Sequence, residues 1–88
     1  MRLEDAQKIL YRPYVTERTF DQIERENKLC FIVHDKVTKT QIASAVEALY
    51  EVKVHAVNTS RTIKGKKAFV RLEPEYKAAD LATKLGLV

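Results

Sequence analysis

Cationic side chains are concentrated in one stretch of the chain, residues 53–71. The stretch contains six Lys or Arg and no Asp or Glu, whereas all 88 residues together have a formal net charge of +4. The rest of the chain is therefore net negative by two. Such a segregation of positive charge is typical of a surface that binds a polyanion, and nucleic acid is the commonest candidate.

The same stretch has the pattern of a β-hairpin. Runs rich in Val, Thr, Ile and Phe flank Lys64-Gly65-Lys66, and Gly takes the positive φ that a tight reversal requires. The pattern predicts two antiparallel strands joined at Gly65, with a cationic tip. In the alternative interpretation the lysines only prevent aggregation of an exposed strand edge, which would explain one or two of them.

One aromatic residue of the hairpin is a candidate for contact with a base. Phe69 lies between Lys67 and Arg71 at spacing two, so the three side chains are predicted to share one face of a strand. A base can stack on the ring while its phosphates contact the cations. Alternatively, Phe69 packs under the C-terminal helix.

Short polar residues beside Arg61 can donate hydrogen bonds to phosphate or to a 2′-hydroxyl group. Alternatively, they are ordinary solvated strand residues. The short donors are Asn58, Thr59, Ser60 and Thr62.

A second candidate anion site is the start of the helix predicted after residue 38. Lys36, Lys39 and Thr40 lie there, where free backbone amides and the helix dipole favour an anion. A solvated helix start is the alternative. The complete set of candidate RNA-binding residues is Arg12, Lys36, Lys39, Thr40, Lys53, Asn58, Thr59, Arg61, Lys64, Lys66, Lys67, Phe69 and Arg71.

The sequence contains no recognisable catalytic or metal-binding motif. His34 and His55 are far apart and have no nearby Cys, so metal-ligand spacing is missing. With Gly65 and Gly86 as its only glycines, the chain has no glycine-rich phosphate-binding motif. Asp35 beside His34 is expected to form a turn. We therefore predict no enzyme, no cofactor, no metal and no small-molecule substrate.

Length and composition predict a single small domain over residues 1–88, with residues 1–7 flexible or forming one loose helical turn. Cys30 lies in an apolar run and is expected to be a buried structural thiol. Charged residues occupy the N-terminus, where a signal peptide requires an apolar core. No apolar run approaches the length of a membrane span, so we predict a cytosolic protein without membrane insertion.

The order of elements is predicted as β-α-β-α-β-β-α. A short strand over residues 8–11 ends before Pro13, and a helix capped by Thr16 ends at Asn27. The consecutive apolar residues of Lys28 to Val33 indicate a central strand covered on both faces.

The second half of the chain supplies a further helix, two strands and a last helix. Thr38 and Gln41 fit a capping box, and that helix is predicted to end near residue 50 or 51. Apolar residues alternate from position 52 until Val57, where either a bulge or a change in what covers the strand is expected. A final helix between residues 76 and 85 is capped by Gly86. The fold class is α+β, with a mostly antiparallel four-stranded sheet packed with helices.

Taken together, these motifs resemble the family of ribosomal protein L23 (the universal uL23 family), in its archaeal form. The matching motifs are Arg12-Pro-Tyr-Val-Thr-Glu-Arg18, Glu26-Asn-Lys-Leu-Cys-Phe-Ile-Val33, Thr38-Lys-Thr-Gln-Ile42, Val46-Glu47, Val52-Lys-Val54, Val57-Asn-Thr59 and Gly65-Lys-Lys-Ala-Phe-Val70. The tail Pro74-Glu-Tyr-Lys-Ala-Ala-Asp80 and the short tip at Gly65 resemble the archaeal branch. No single motif is specific, but their order and spacing fit from about residue 8 onward.

The resemblance implies a structural component of the large ribosomal subunit, located in the cytoplasm and bound to large-subunit rRNA beside the polypeptide exit. It implies ribosomal protein L29 as a neighbour and a docking surface for nascent-chain factors such as the signal recognition particle. Glu17 matches the position that the family uses for docking in bacteria, and Arg18 is grouped with it. Because the tip is short, the tunnel-lining contact of the bacterial loop is not expected. The rRNA-facing positions implied are Arg12, Lys39, Asn58, Thr59, Arg61, Lys64, Lys66 and Lys67.

Two other functions are compatible with the same residues. One is a free-standing module that binds single-stranded RNA, because Ala68-Phe69-Val70 is similar to part of an RNA-recognition signature; Lys66 and Lys67 stand where that signature has aromatic residues. The other is a protein-only adaptor whose basic face binds an acidic partner. Binding to short uridine-rich oligonucleotides, and purification free of RNA, would separate these functions from the ribosomal one.

Overall fold

The computed structural model describes residues 2–63 and 65–86 and forms four helices and four strands there. In chain order they are α1 (Leu3–Ile9), β1 (Leu10–Pro13), α2 (Glu17–Glu26), β2 (Lys28–Val33), α3 (Lys39–Tyr50), β3 (Val54–Thr62), β4 (Gly65–Leu72) and α4 (Ala78–Lys84). The predicted order is confirmed from β1 onward, and α1 precedes it. The predicted α+β class with a four-stranded antiparallel sheet is also confirmed.

The sheet has the strand order β1-β2-β4-β3, and each neighbouring pair is antiparallel. All helices contribute to one core against a single face of the sheet, so the domain has two layers. The buried strand residues of this core are Leu10, Leu29, Phe31, Val33, Ala68, Val70 and Leu72. The opposite face of the sheet carries Lys67, Phe69 and Arg71 of β4, which lie outside this core, and we call it the open face.

Helix α1 occupies most of the segment for which a flexible chain or one loose helical turn was predicted, and it extends to Ile9. Ala6 is fully buried in the core, Glu4 and Asp5 lie in the first turn, and Lys8 lies in the last. These charges complement the helix dipole. The predicted strand over residues 8–11 was therefore wrong by two residues, because β1 starts at Leu10 after the helix ends.

Helices α2 and α3 begin and end at the predicted residues. Thr16 caps α2, and its backbone amide donates to Thr19 Oγ1 at 2.6 Å. Thr38 and Gln41 form the predicted capping box of α3, with hydrogen bonds of 2.9 and 3.2 Å. Asn27 ends α2 in the left-handed region with φ of 57°.

The hairpin differs from the prediction in two details. The register irregularity of β3 lies between Val54 and Ala56, before the predicted bulge at Val57. Ala56 is consequently exposed, and Val57 is half-buried on the helix side. Gly65, with φ of +123°, pairs with Thr62 as the first residue of β4, so the reversal of the chain precedes Gly65.

Candidate nucleic-acid interface

Strand β4 separates its side chains cleanly between the two faces of the sheet. Ala68, Val70 and Leu72 are buried in the core. Lys67, Phe69 and Arg71 alternate with them and lie together on the open face, as their spacing predicted. Helix α4 packs in the core on the other side. The alternative in which Phe69 packs under the C-terminal helix was therefore wrong.

Directly paired residues of neighbouring strands extend this open face. Asn58 pairs with Phe69, and Ser60 with Lys67. On the other side of β4, Cys30 pairs with Phe69. Because side chains of directly opposite residues share a face, short polar groups border the aromatic ring on β3. Arg12, which pairs with Ile32, lies on the same face at the other edge of the sheet.

A cation–π contact spans the open face. The Lys67 Nζ atom lies 3.9 Å from the centroid of the Tyr14 ring, and the Tyr14 backbone amide donates to the Cys30 carbonyl at 2.8 Å. Tyr14 follows directly after β1, and Lys67 lies on β4. Because β2 lies between these two strands, the contact crosses above β2. This explains why Cys30 and Ile32 are buried without belonging to the core. Tyr14 was not among the predicted site residues, because its loop position has no pattern that would reveal this contact.

Burial also accounts for the chemistry of the cysteine. It raises the pKa of the Cys30 thiol to about 11, and the positive charge of nearby Lys67 opposes this rise. The thiol is therefore protonated at neutral pH and unreactive, which agrees with the predicted structural role.

A groove of about 220 Å³ lies between the first turns of α2 and the open face of β4. It is lined by Tyr14, Thr16, Arg18, Thr19, Gln22, Lys67 and Phe69. Arg18 was grouped with Glu17 as a protein-docking residue, but it lines this groove beside two residues of the open face. Glu17 is exposed at the start of α2 and is not among the lining residues.

Two further cations of the hairpin, Arg61 and Lys66, lie on the helix side of the sheet. Lys66 Nζ donates to the Val37 carbonyl at 2.8 Å, and Arg61 Nη2 donates to the Asp35 carbonyl at 3.4 Å. Both side chains therefore hold the loop that precedes α3. Together with two exposed lysines of this region they form what we call the helix-side cluster, which consists of Lys36, Lys39, Arg61 and Lys66.

The structure thus places most of the candidate residues in two separate groups, on the open face and around the helix-side cluster. Thr40 is exposed beside the helix-side cluster, and Thr59 lies half-buried on the same side of the sheet. Lys53 precedes β3, and its carbonyl accepts a hydrogen bond from the Glu73 amide at the end of the hairpin away from the tip. Lys64 lies outside the described residues. Thr62 Oγ1 donates to the Gly65 carbonyl at 2.8 Å, so this hydroxyl closes the hairpin.

The histidines take part in local contacts. His34 Nδ1 accepts a hydrogen bond from the Lys36 amide at 3.1 Å, as expected of a turn beside Asp35. His55 Nδ1 lies 3.4 Å from Glu73 Oε1. Among residues 2–63 and 65–86, no group of three or more His, Cys, Asp or Glu could hold a metal ion. Within the same ranges, no helix has the length and apolar character needed to cross a membrane.

Comparison with known proteins identifies the family. A family model described as ribosomal protein L23 matches residues 8–81, which is most of the chain. The chain belongs to the ribosomal protein L23 family. The resemblance seen in its motifs is thereby confirmed. Members of this family are ribosomal proteins rather than enzymes, in agreement with the prediction that the chain has no catalytic function.

Relatives in this family come from both eukaryotes and archaea. A large ribosomal subunit protein uL23 of Tetrahymena thermophila is 45% identical over 85 residues, and one of Dictyostelium discoideum is 47% identical over 85 residues. Each alignment covers 96% of this chain but only 57% and 50% of those relatives, so the chain spans about half their length. A uL23 protein of Methanococcus aeolicus is 43% identical over 84 residues, which are 94% of this chain and 98% of that protein.

Proposed function

We propose that this chain is a structural constituent of the large ribosomal subunit in the cytoplasm, and that it binds large-subunit rRNA beside the polypeptide exit. The observation that carries the proposal is the open face, where Lys67 and Arg71 flank Phe69 outside the core. The shared name of the relatives, large ribosomal subunit protein, supports the assignment to that subunit.

Two surfaces would contact the rRNA. On the open face, cations neutralise phosphates while Asn58 and Ser60 supply short donors. On the helix side, Lys36 and Lys39 are exposed at the start of α3 and add a second positive surface. The remaining members of that cluster, Arg61 and Lys66, already donate to backbone carbonyls, so we expect them to contribute less to RNA affinity.

The protein partners are part of the same proposal and rest on the family resemblance. The docking surface for nascent-chain factors such as the signal recognition particle is centred on Glu17, which is exposed in the first turn of α2. Ribosomal protein L29 is the proposed neighbour. The Glu17→Lys substitution should weaken binding of the factor to reconstituted subunits and leave rRNA binding intact. Unchanged factor affinity would exclude Glu17 from the docking surface.

A competition binding assay tests the rRNA proposal. Labelled fragments of large-subunit rRNA compete with unrelated structured RNA of equal length across a salt series. We expect one fragment to be preferred at near-physiological salt. Equal and steeply salt-dependent binding to every RNA would contradict the proposal and favour a generic RNA-binding module. Purification without RNA and no binding at moderate salt would favour a protein-only adaptor.

Charge variants then locate the binding surface. Each phosphate contact contributes about 0.7–0.9 to the slope of log affinity against log salt concentration. Lys67→Ala and Lys36→Ala should each reduce the slope by about this amount if both surfaces bind phosphate. Lys84→Ala is the matched control, because Lys84 is exposed in the last turn of α4, away from the hairpin. Parent-like slopes for both hairpin-side variants would show that neither surface binds phosphate.

A further inference from the structure

We infer that the groove between α2 and β4 receives an unstacked nucleobase of the bound RNA. This inference rests on the proposed function and specifies the ligand of one part of its surface. The groove holds about 220 Å³ and is lined by residues of two elements that are far apart in the sequence. Tyr14 and Phe69 are the two aromatic residues among those that line it.

The two aromatic residues differ in what they already contact. The Tyr14 ring holds the ammonium group of Lys67 at 3.9 Å, so that face of the ring is occupied. Phe69 is half-buried and forms no aromatic pair or cation–π contact within the part of the chain that the structure describes. Its ring is therefore the surface on which a base can stack.

The charge of the groove suits the phosphate that accompanies such a base. Its lining residues include the cations Arg18 and Lys67 and no carboxylate. The Tyr14 ring positions the Lys67 ammonium at the groove, and it displaces part of the water that would otherwise surround the cation. A phosphate on either side of the base would meet positive charge at short range.

Polar side chains in the groove could recognise the edge of the base. The hydroxyl groups of Thr16 and Thr19 are engaged in the cap of α2. The Gln22 amide and the Arg18 guanidinium, by contrast, form no side-chain hydrogen bond or ion pair within residues 2–63 and 65–86. Both can donate to base acceptors, and the amide oxygen can also accept.

A base in a continuous duplex would not reach this site. The groove is bounded by α2 on one side and by the sheet on the other, and A-form RNA presents its base edges only along a shallow minor groove. A nucleotide from a loop or bulge can instead turn its base outward and stack on an aromatic ring. The structure therefore assigns Arg18 to the RNA-binding surface, whereas Glu17 remains with protein docking.

A double-mutant cycle between protein and RNA tests the inference. The probe is the large-subunit rRNA fragment preferred in the competition assay, with each loop or bulge nucleotide replaced in turn by an abasic one. We expect one abasic position to weaken binding of the parent protein roughly 5- to 150-fold. At that position the Phe69→Leu variant should show little further loss, because the ring that stacks on the base is already missing.

Two variants control this experiment. Phe69→Tyr keeps the ring and should bind the intact fragment within about twofold of the parent. Tyr11→Leu removes the ring of an exposed aromatic residue that does not line the groove. Its loss of binding free energy should add to the loss caused by every abasic position. If Phe69→Leu is also additive at every position, the groove does not hold a base, although rRNA binding stands. If the parent prefers no rRNA fragment, the proposed function and this inference are both wrong.

Discussion

The side-chain oxygen of Asn27 accepts a hydrogen bond of 2.6 Å from the backbone amide of Ala78, 51 residues further along the chain. Helix α4 has no capping side chain of its own, because its N-cap residue is Lys77. Asn27 satisfies one of the free amides of α4 from a distance. Its Nδ2 atom also donates to the Tyr76 carbonyl at 2.8 Å and the Leu72 carbonyl at 3.2 Å. A single residue thus joins the end of α2 to the end of β4 and the start of α4.

Replacing Asn27 should destabilise the domain strongly. Asn27→Ala removes these hydrogen bonds. It also puts alanine, which disfavours a positive φ, at a position where the backbone φ is 57°. We expect a loss of about 2–4 kcal/mol in the free energy of unfolding, measured in urea. Asn27→Gly keeps the backbone conformation available and should lose less than Asn27→Ala, because only the hydrogen bonds are missing. A change below about 0.5 kcal/mol in both variants would show that the hydrogen bonds to α4 contribute nothing to stability.

Substitutions of Lys66 and Lys36 should distinguish an effect on folding stability from an effect on RNA binding. The Lys66 ammonium holds the Val37 carbonyl at 2.8 Å, so Lys66→Ala should lower the free energy of unfolding by about 1 kcal/mol. The Lys36 side chain is exposed, and Lys36→Ala should change stability by less than about 0.5 kcal/mol. Denaturant unfolding and the salt dependence of rRNA binding are measured on both variants. Equal stability of the two would contradict a structural role for the Lys66–Val37 contact.

The stability of the domain should depend on the Cys30 thiol at high pH. Its pKa is raised from 9.0 to about 11 by burial, so the folded state favours the neutral thiol. The resulting stabilisation is fully present below pH 9 and is lost as the pH rises through 11. The Cys30→Ala variant has no thiol to titrate. The difference in free energy of unfolding between this variant and the parent should therefore change between pH 9 and pH 11. The difference in ultraviolet absorbance between the parent and Cys30→Ala isolates the thiolate from the four tyrosines, and a thiol titration near 9 in the folded protein would contradict the expected burial effect.

Gly65 is expected to be sensitive to any added side chain. Its φ of +123° is essentially restricted to glycine, so Gly65→Ala should cost about 1–3 kcal/mol of stability. A Cβ atom there would lie 3.7 Å from the Ile32 Cγ2 atom, which is an ordinary contact, so the cost comes from the backbone. Gly86→Ala, at φ of +75° with open space around it, is the control and should cost less. Thermal unfolding compares the two, and the reverse order would contradict this explanation.

Local chemistry explains which parts of the fold were predictable. The caps at Thr16 and Thr38 depend on side chains that bond to amides three residues away, so the sequence contains the whole signal. The central strand β2 was evident from its consecutive apolar residues. The sequence allowed no more than one loose helical turn where α1 lies, because only one residue of this helix, Ala6, is buried and its apolar pattern is correspondingly weak.

The candidate site was predicted in its composition but not in its arrangement. Lys67, Phe69 and Arg71 were correctly predicted to share one face, because side chains two residues apart on a strand point to the same side of the sheet. The separation of Arg61 and Lys66 from that face depends on the register with β3 and on the loop before α3. The groove depends on contact between α2 and β4, and no local pattern reports such a contact. Tyr14 and Gln22 were missed for that reason.

The adjacent residues Lys66 and Lys67 serve opposite sides of the sheet, one holding the loop before α3 and the other lying over Tyr14. Inserting or deleting a single residue in β4 would exchange these assignments and carry Phe69 toward the core. Point substitutions in the hairpin change one contact at a time, whereas a change of length would invert the whole surface. We therefore expect natural variation in β4 to be tolerated as replacement of residues and strongly restricted in residue number.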